Sequence, residues 1–328
     1  MRLQGVRRRP TRGGGERALH DGRPGATVTM APLASNPARH FVVRSPSATI
    51  HPTALVDPKA SIGPNVVIGP YCVVGAGARI GARTELKSHV CVFGPTTVGE
   101  DNVVYPFAVL GAEPQDLKYR GERSLLVIGD RNVIREHVTI HRGTKLGGGC
   151  TRVGSDCLLM VGVHIAHDCV VEDEVVIANN AMLAGHCHIQ KGAVVSGGVG
   201  MHHFVTVGEY AFVGGLARVG KDVPPFILAE GSPCLPHKIN TVGLQRKGWT
   251  EEQIAPLRAA FKRLFRAQDS QPLRRRAQLL LEDASQPEPV HRLCAFLLRM
   301  EEGVFGRQRE KERSPEAPRH GGLATSSR

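Results

Sequence analysis

Aliphatic residues recur at every sixth position along most of this chain. Between residues 50 and 219, 26 in-frame positions are Ile, Val, Leu or Met, and none is polar. They are Ile50, Val56, Ile62, Ile68, Val74, Ile80, Leu86, Val92, Val98, Val104, Leu110, Ile128, Ile134, Ile140, Val153, Leu159, Ile165, Val171, Ile177, Leu183, Ile189, Val195, Met201, Val207, Val213 and Val219. A helical period of 3.6 residues fits none of this, whereas short strands joined by tight turns do. Three hexads make one triangular coil of 18 residues, so the pattern predicts a parallel β-helix of about nine coils.

Two insertions interrupt the repeat. The first, Ala112–Val127, contains EPQDLKYRGERS, and the second, His141–Arg152, contains HRGTKLGGGCTR. Loops that leave a rigid scaffold are frequent sites of substrate contact. Both insertions are therefore candidates for substrate binding.

A different pattern follows the repeat. Two prolines in KDVPPF end the strand pattern after Val219, and a helical period begins at Thr250, which forms a capping box with Gln253. Further helices are predicted at Pro272–Asp283 and Val290–Glu302. The predicted organisation is a leader or disordered extension (1–49), a β-helix domain (50–225), a C-terminal helical domain (226–303) and a disordered tail (304–328).

The positive charge is concentrated at the two ends of the chain. Residues 1–49 contain nine Arg and two acidic residues, and residues 304–328 contain six Lys or Arg and three acidic residues. Residues 50–303 therefore keep about +2 of the net +12, and nucleic-acid binding is not expected. The Arg- and Gly-rich start fits a transit peptide, but a disordered extension or translation from Met30 fits it better.

The composition also bears on the cellular compartment. No stretch approaches the ~20 apolar residues of a membrane span, so stable membrane insertion is not expected. The eight cysteines form no CxxC pair and several lie in aliphatic runs, which favours buried thiols in a reducing compartment. We expect a cytoplasmic protein.

The histidines cluster in three consecutive coils. They lie in HIAHD (164–168), GHCH (185–188) and MHHF (201–204). An 18-residue coil brings His167, Gly185 and His203 to one corner, about 5 Å apart per coil. Asp168 beside His167 suggests an acid–base pair, and the N–H of Gly185 is open to a developing oxyanion. The cluster therefore fits an acyl-transfer site.

Several motifs together carry a family resemblance. They are IHPTALVDPKASIGPNVVIGPYCVVG, QDLKYRGE, IGDRNVIREHVTIHRGT, HIAHDC, ANNAMLAGH, DVPP and GLQRKG, in this order. From about Ile50 to Leu264 the chain resembles the bacterial acyl-(acyl-carrier-protein)–UDP-N-acetylglucosamine O-acyltransferases. The resemblance implies a mainly β fold, a left-handed parallel β-helix followed by a small α-helical domain, in a homotrimer with active sites between subunits. It also implies transfer of an (R)-3-hydroxyacyl chain from acyl carrier protein to the 3-hydroxyl of UDP-N-acetylglucosamine, the first step of lipid A biosynthesis, without a cofactor or metal.

The same resemblance implies roles for individual residues. His167 would be the general base, Asp168 its orienting partner and the Gly185 amide the oxyanion donor. Gly215 lies at the position of the family's acyl-chain ruler, where the lack of a side chain implies a longer acyl chain. The substrate contacts would be Gln115, Asp116, Lys118, His164, His186, His202, His203 and Arg246.

The chain departs from the family pattern in three places. SGGVG replaces a GGMT stretch, and MHHF replaces VHQF, so His203 stands where an amide usually contacts substrate. The first 49 residues have no counterpart. These departures affect sugar and acyl selection rather than the reaction.

Three other functions fit parts of the sequence. A sister acyltransferase could N-acylate a glucosamine or use acetyl coenzyme A, but QDLKY and the lack of an N-terminal sugar-binding domain argue against it. A γ-type carbonic anhydrase also uses a β-helix with three zinc histidines, yet Asp168 directly after His167 fits it poorly. A non-catalytic scaffold would leave the histidine cluster without a role.

Overall fold

The computed structural model describes residues 43–45, 47–267 and 270–313. Most of the predicted extension and residues 314–328 of the predicted tail lie outside this part of the chain. Short strands dominate it up to residue 239. They are β1 (Val43–Arg44), β2 (Thr49–Ile50), β3 (Leu55–Val56), β4 (Ser61–Ile62), β5 (Val67–Ile68), β6 (Val73–Val74), β7 (Arg79–Ile80), β8 (Glu85–Leu86), β9 (Cys91–Val92), β10 (Thr96–Val98), β11 (Val103–Val104), β12 (Val109–Ala112), β13 (Leu125–Ile128), β14 (Val133–Ile134), β15 (Thr139–His141), β16 (Cys150–Val153), β17 (Leu158–Leu159), β18 (His164–Ile165), β19 (Val170–Val171), β20 (Val176–Ile177), β21 (Met182–Leu183), β22 (His188–Ile189), β23 (Val194–Val195), β24 (Gly200–Met201), β25 (Thr206–Val207), β26 (Phe212–Val213), β27 (Arg218–Val219), β28 (Ile227–Glu230) and β29 (Leu235–Ile239).

Every third strand belongs to the same parallel sheet up to β27. The first sheet runs from β1 through β4 to β25, the second from β2 through β5 to β26, and the third from β3 through β6 to β27. Ser61 pairs with Arg79 and Val176 with Val194, one 18-residue coil later. The predicted parallel β-helix is therefore present, and each strand gains its backbone hydrogen bonds from the coils above and below.

The in-frame aliphatic residues fill the interior. From Ile62 onward all of them are buried, while Ile50 and Val56 in the first coil are half-buried. Burying one such side chain contributes about 1.5–3 kcal/mol, so stacking identical coils accumulates stability without a large aromatic core. The thiols of Cys72 and Cys187 are also buried, and all eight cysteines are unpaired.

The three corners of the coil repeat one backbone conformation. Non-glycine residues with positive φ occupy equivalent places at the first-to-second corner (Arg83, φ 58°), at the second-to-third corner (His137, φ 59°) and at the third-to-first corner (His186, φ 65°). The amide of each such residue bonds to the coil below, as in His186 N–H to the His167 carbonyl at 3.0 Å. A corner side chain is therefore held one coil spacing above its predecessor.

The chain beyond the β-helix differs from the prediction at its start. Residues 226–303 were predicted as helical, but β28 and β29 first form an antiparallel pair that extends the second sheet. Up to residue 313, the end of the described part, the α-helices that follow are α1 (Thr241–Arg246), α2 (Glu251–Phe265), α3 (Leu273–Glu282) and α4 (Glu288–Glu302). At the start of α2 the backbone N–H of Thr250 bonds to Gln253 Oε1 at 2.9 Å, as the capping box predicts. No helix in the described ranges has the length and apolar character needed to cross a bilayer.

Residues 304–313 do not match the predicted disordered tail. Gln308–Glu312 form a 3₁₀ helix, and the segment packs on the last coil. The backbone N–H of Gln308 bonds to Asp222 Oδ2 at 2.7 Å, and Arg307 Nη1 donates to the Gly220 carbonyl at 2.7 Å. Polar composition suggested disorder, but these contacts with a distant part of the chain hold the segment in place.

Candidate active site

The predicted catalytic residues meet at the corner between the third and first sheets. His167 and Asp168 lie between β18 and β19, and Gly185 and His186 take the same places one coil later, between β21 and β22. The Phe204 N–H bonds to the Gly185 carbonyl at 3.2 Å, which extends the stack by a third coil. Gly185 therefore lies over His167, and His186 over Asp168.

His167 and Asp168 form a buried pair. His167 Nδ1 lies 2.8 Å from Asp168 Oδ2, and the side chains are 7% and 0% exposed. The Asp168 carboxylate also accepts hydrogen bonds from the backbone N–H and the hydroxyl of Thr144, at 2.8 and 2.6 Å. With Nδ1 directed at the carboxylate, His167 Nε2 is the nitrogen left to exchange a proton with a substrate.

Gly185 packs directly against the His167 ring. A Cβ at this position would lie 2.5 Å from His167 Cε1 and 2.7 Å from Nε2, so any side chain here would force the His167 ring to move. Across the residues described, no acceptor bonds to the Gly185 N–H. An amide donor and an imidazole nitrogen therefore lie side by side. The amide can stabilise a tetrahedral oxyanion, and the imidazole can deprotonate the hydroxyl whose attack forms it.

His186 contributes a neutral ring to the same corner. Its Nε2 lies 3.9 Å from Asp168 Oδ2, and its ring stacks on Phe204 with centroids 4.2 Å apart. Burial lowers the pKa of His186 to about 4, although the Asp168 charge opposes this shift. At neutral pH the ring therefore has one donor and one acceptor for a polar ligand.

His141 and His164 extend the histidine cluster along the third sheet. Thr139 Oγ1 lies 2.8 Å from His164 Nδ1, and the His141 ring stands edge-on to His164 at 5.1 Å. Burial lowers the pKa of both, that of His141 to about 4. Sequence reasoning did not select His141, although it begins the HRGT insertion. Its buried Nδ1 has no hydrogen-bond partner in the part of the chain described.

A cavity of about 390 Å³ lies beside His164. Its walls are largely apolar, with His164 and His202 on its polar side, and it runs over β18, β21, β24 and β27. His202 Nδ1 bonds to the His203 carbonyl at 3.1 Å, and the two rings meet edge-on. The lining residues are His164, Met182, Leu183, Ala184, Gly200, Met201, His202, Arg218, Val219 and Gly220.

The first insertion is tied to the β-helix through Arg142. Buried Arg142 donates from Nη1 to the Gly111 carbonyl at 2.7 Å and from Nη2 to the Tyr119 hydroxyl at 3.1 Å. Asp116 shapes the loop, since its Oδ1 accepts the Lys118 N–H at 3.0 Å. Gln115 is exposed and Lys118 half-buried, so both side chains are accessible to a ligand.

Two predicted site residues lie elsewhere in the chain. Gly215 is at the corner between the second and third sheets, where a Cβ would meet only the Gly197 carbonyl at 3.5 Å. Arg246, at the end of α1, lines a separate cavity of about 350 Å³ beside the second sheet, together with Asn240 and Tyr210. One chain therefore does not bring either residue to the His167 corner.

The corner also holds one cluster with potential metal ligands. The ligand atoms of His167, Asp168 and His186 lie within 4.8 Å of one another. Asp168 already accepts hydrogen bonds from Thr144 and His167, so a metal would have to displace contacts that are short and buried. The arrangement suits proton transfer better than coordination.

The C-terminal segment reaches this corner from far along the chain. Arg309 Nη1 donates to the His186 carbonyl at 2.9 Å, and the Arg313 guanidinium lies 4.8 Å from the centre of the Phe204 ring. Nothing in the local sequence signals the first of these contacts, because it joins residues 123 positions apart. Sequence reasoning therefore missed Arg309.

Comparisons with known proteins agree with this architecture. The bacterial transferase hexapeptide family (six repeats) matches residues 47–82 and 150–185. The UDP-N-acetylglucosamine O-acyltransferase family, domain 2, matches residues 222–305. The mainly β fold, with a left-handed parallel β-helix before C-terminal α-helices, is confirmed.

Solved structures of UDP-N-acetylglucosamine acyltransferases are similar over most of this chain. The Moraxella catarrhalis enzyme is 42% identical, covering 77% of this chain and 95% of its own, with a TM-score of 0.67. The Campylobacter jejuni enzyme is 38% identical (76% and 96% covered, TM-score 0.72), and the Arabidopsis enzyme is 32% identical (78% and 96%, TM-score 0.68). The chain belongs to the UDP-N-acetylglucosamine O-acyltransferase family.

Proposed function

We propose that this protein transfers an (R)-3-hydroxyacyl chain from acyl carrier protein to the 3-hydroxyl of UDP-N-acetylglucosamine, opening lipid A biosynthesis. The observation that carries the proposal is the buried His167–Asp168 pair with the Gly185 amide against its ring. Family membership supports the sugar nucleotide as acceptor. It also argues against the carbonic anhydrase and scaffold alternatives.

In the proposed reaction His167 acts as general base and then as general acid. Nε2 takes the proton of the sugar hydroxyl as its oxygen attacks the thioester carbon, and the Gly185 N–H binds the oxyanion that forms. Collapse of this intermediate breaks the C–S bond, and His167 returns the proton to the departing thiolate. Asp168 keeps Nδ1 protonated and stabilises the transient imidazolium.

The remaining predicted residues bind the substrates in this proposal. His164, His186, His202 and His203 line the approach to the corner, and Gln115, Asp116 and Lys118 belong to the tethered first insertion. The apolar cavity beside His164 suits an alkyl chain. For acyl carrier protein, an acidic partner, docking is supported by exposed cations on α2, directly after it, and on α3. These are Lys262, Arg263, Arg266, Arg274 and Arg275.

A homotrimer would complete the site. Gly215 and Arg246 lie on other sides of the β-helix from His167, so a neighbouring subunit is needed to bring them to the corner. Gly215 would then limit acyl length from the neighbour and Arg246 would contact the nucleotide or carrier. Mixing His167→Ala and Arg246→Ala subunits should restore part of the activity that each homotrimer lacks. A mixture no more active than its parents would contradict a shared site.

We infer a cytoplasmic location from the eight unpaired thiols.

The test of the reaction is a direct transfer assay. Purified protein is offered UDP-N-acetylglucosamine with a panel of (R)-3-hydroxyacyl carrier proteins, and with acetyl coenzyme A as the competing donor. We expect a carrier-linked donor longer than C10 to be used best, and His167→Ala to lose at least about 10³-fold in kcat. Failure of the wild type with every carrier-linked donor would end the proposal, and use of acetyl coenzyme A alone would favour a sister acyltransferase.

A further inference from the structure

Thr144, in the second insertion, makes two contacts with the catalytic pair. Its backbone N–H donates to Asp168 Oδ1 at 2.8 Å, and its hydroxyl lies 2.6 Å from Asp168 Oδ2. Thr144 is 3% exposed, so water does not compete for these bonds. The Asp168 carboxylate is thus held at both oxygens by one residue.

The direction of the Thr144 hydroxyl proton follows from its other neighbour. Oγ1 accepts the Gly147 N–H at 3.2 Å, which leaves the hydroxyl proton to point at Asp168 Oδ2. The same oxygen of Asp168 lies 2.8 Å from His167 Nδ1. Thr144 thus donates to the same carboxylate oxygen that faces His167 Nδ1.

The loop around Thr144 is fitted closely to this carboxylate. A Cβ at Gly147 would overlap the Asp168 carboxyl, and a Cβ at Gly143 would lie 2.7 Å from Asp168 Oδ1. The Asp168 N–H in turn bonds to Thr151 Oγ1 at 2.8 Å, at the other end of the loop. The insertion therefore encloses Asp168 from both sides.

We propose that Thr144 is a positioning residue of the acyl transfer, whose hydroxyl fixes the Asp168 carboxylate and through it the tautomer and orientation of His167. The inference rests on the proposed role of His167 as base. Thr144 itself lies behind Asp168, away from Nε2, so its hydroxyl acts on the rate of the chemical step rather than on substrate binding. The second insertion thereby has a defined role in the reaction.

The experiment compares Thr144→Val with Thr144→Ser in the transfer assay. Valine keeps the shape and the backbone N–H donor but loses the hydroxyl, whereas serine keeps the hydroxyl and loses only a methyl group. We expect kcat of Thr144→Val to fall about 10- to 100-fold with KM for both substrates within about twofold, and Thr144→Ser to stay within about threefold of wild type.

Thr84→Val is the matched control for burial of a threonine hydroxyl. Thr84 is fully buried at another corner, accepts the Asn102 N–H at 3.1 Å and donates to the Gly99 carbonyl at 2.8 Å. We expect it to lower the thermal midpoint as much as Thr144→Val does, with kcat unchanged.

Three results would overturn the inference: an unaltered kcat in Thr144→Val, an equal loss in Thr144→Ser, or an equal loss in Thr84→Val. An inactive wild type would instead count against the proposed function, so the two failures are distinguishable.

Discussion

Two histidines of this protein have the same backbone conformation, and each stacks on a phenylalanine ring, but their surroundings differ. His137 (φ 59°) stacks on Phe107 and His186 (φ 65°) on Phe204, and both ring pairs are 7° from parallel. His137 is exposed and Phe107 is 48% exposed, at the corner between the second and third sheets. The His186 side chain is 17% exposed, 3.9 Å from a buried carboxylate, with its pKa lowered to about 4.

The difference lies in what covers each corner. At His186 the second insertion encloses Asp168 below, and the C-terminal segment places Arg309 on the His186 carbonyl and Arg313 over Phe204. At His137 the ring ladder continues to His89 and Tyr71 along the surface. The repeat therefore supplies identical positions at every coil, and segments outside the repeat decide which of them can do chemistry.

Among the variants that test this comparison, the largest effect is expected from adding a methyl group beside the catalytic ring. Gly185→Ala places a Cβ 2.7 Å from His167 Nε2, so the imidazole must move and the oxyanion donor shifts with it. We expect kcat to fall about 10²- to 10³-fold. Gly75→Ala is the control at an equivalent corner, where the nearest atom is 3.5 Å away. Equal activity of the two variants in the transfer assay would contradict the close packing of Gly185.

An effect of intermediate size should distinguish His186 from His137. His186→Ala removes a neutral ring that we assign to substrate binding, and one lost hydrogen bond corresponds to about a 10-fold rise in KM for UDP-N-acetylglucosamine. His137→Ala should leave kcat/KM within about twofold, because that ring stacks on Phe107, away from the catalytic pair. Steady-state kinetics of both variants test this difference. Equal KM values for UDP-N-acetylglucosamine would show that the two corners do not differ in substrate binding.

The smallest effect concerns stability as a function of pH. The pKa of His141 is lowered to about 4 by burial, below the ordinary 6.5, so between these values the unfolded chain binds a proton that the folded chain does not. Stability should therefore fall as pH drops through this window, by up to about 1.4 kcal/mol per pH unit for one site. His141→Gln should lose less in thermal midpoint between pH 7 and 5 than wild type does.

The exposed corner provides the control for this measurement. His137→Gln makes the same chemical change at that corner and shows how much of any difference comes from the substitution itself. Asp222, whose pKa burial raises to about 6, acts in the opposite direction, because the folded chain binds its proton first. Its contribution is common to all variants and cancels in the comparison, so a His141→Gln profile parallel to wild type would refute the assignment.

The repeat made most of the fold predictable. At least one side chain in six faces a narrow interior, so the period alone located Ile62 and its 18-residue successors inside the β-helix. The hairpin of β28 and β29 was missed because KDVPPF interrupts the period, and α1 was missed because it is short and contains Gly243. Residues 304–313 are held by distant groups such as Asp222, which composition does not record.

Within the site, the residues that the sequence predicts to lie together are those that follow the 18-residue repeat. Gly185 and His186 each follow His167 by about one coil, so the length of the repeat alone predicts that they lie together. Thr144 lies 24 residues before Asp168, in an insertion that interrupts the 18-residue spacing, so the repeat does not predict their contact. Arg246 and Gly215 were assigned by resemblance, and their places on other sides of the chain could be seen only in three dimensions.

The stacking of identical coils also determines how the length of the gene can change. Because Val176 pairs with Val194 and Val194 with Phe212, loss of a single residue between them would turn every later interior side chain outward. Loss of one whole coil, such as residues 61–78, keeps every later pairing and leaves the His167 corner unchanged. We therefore expect the repeat to tolerate the loss or gain of whole coils and not of single residues.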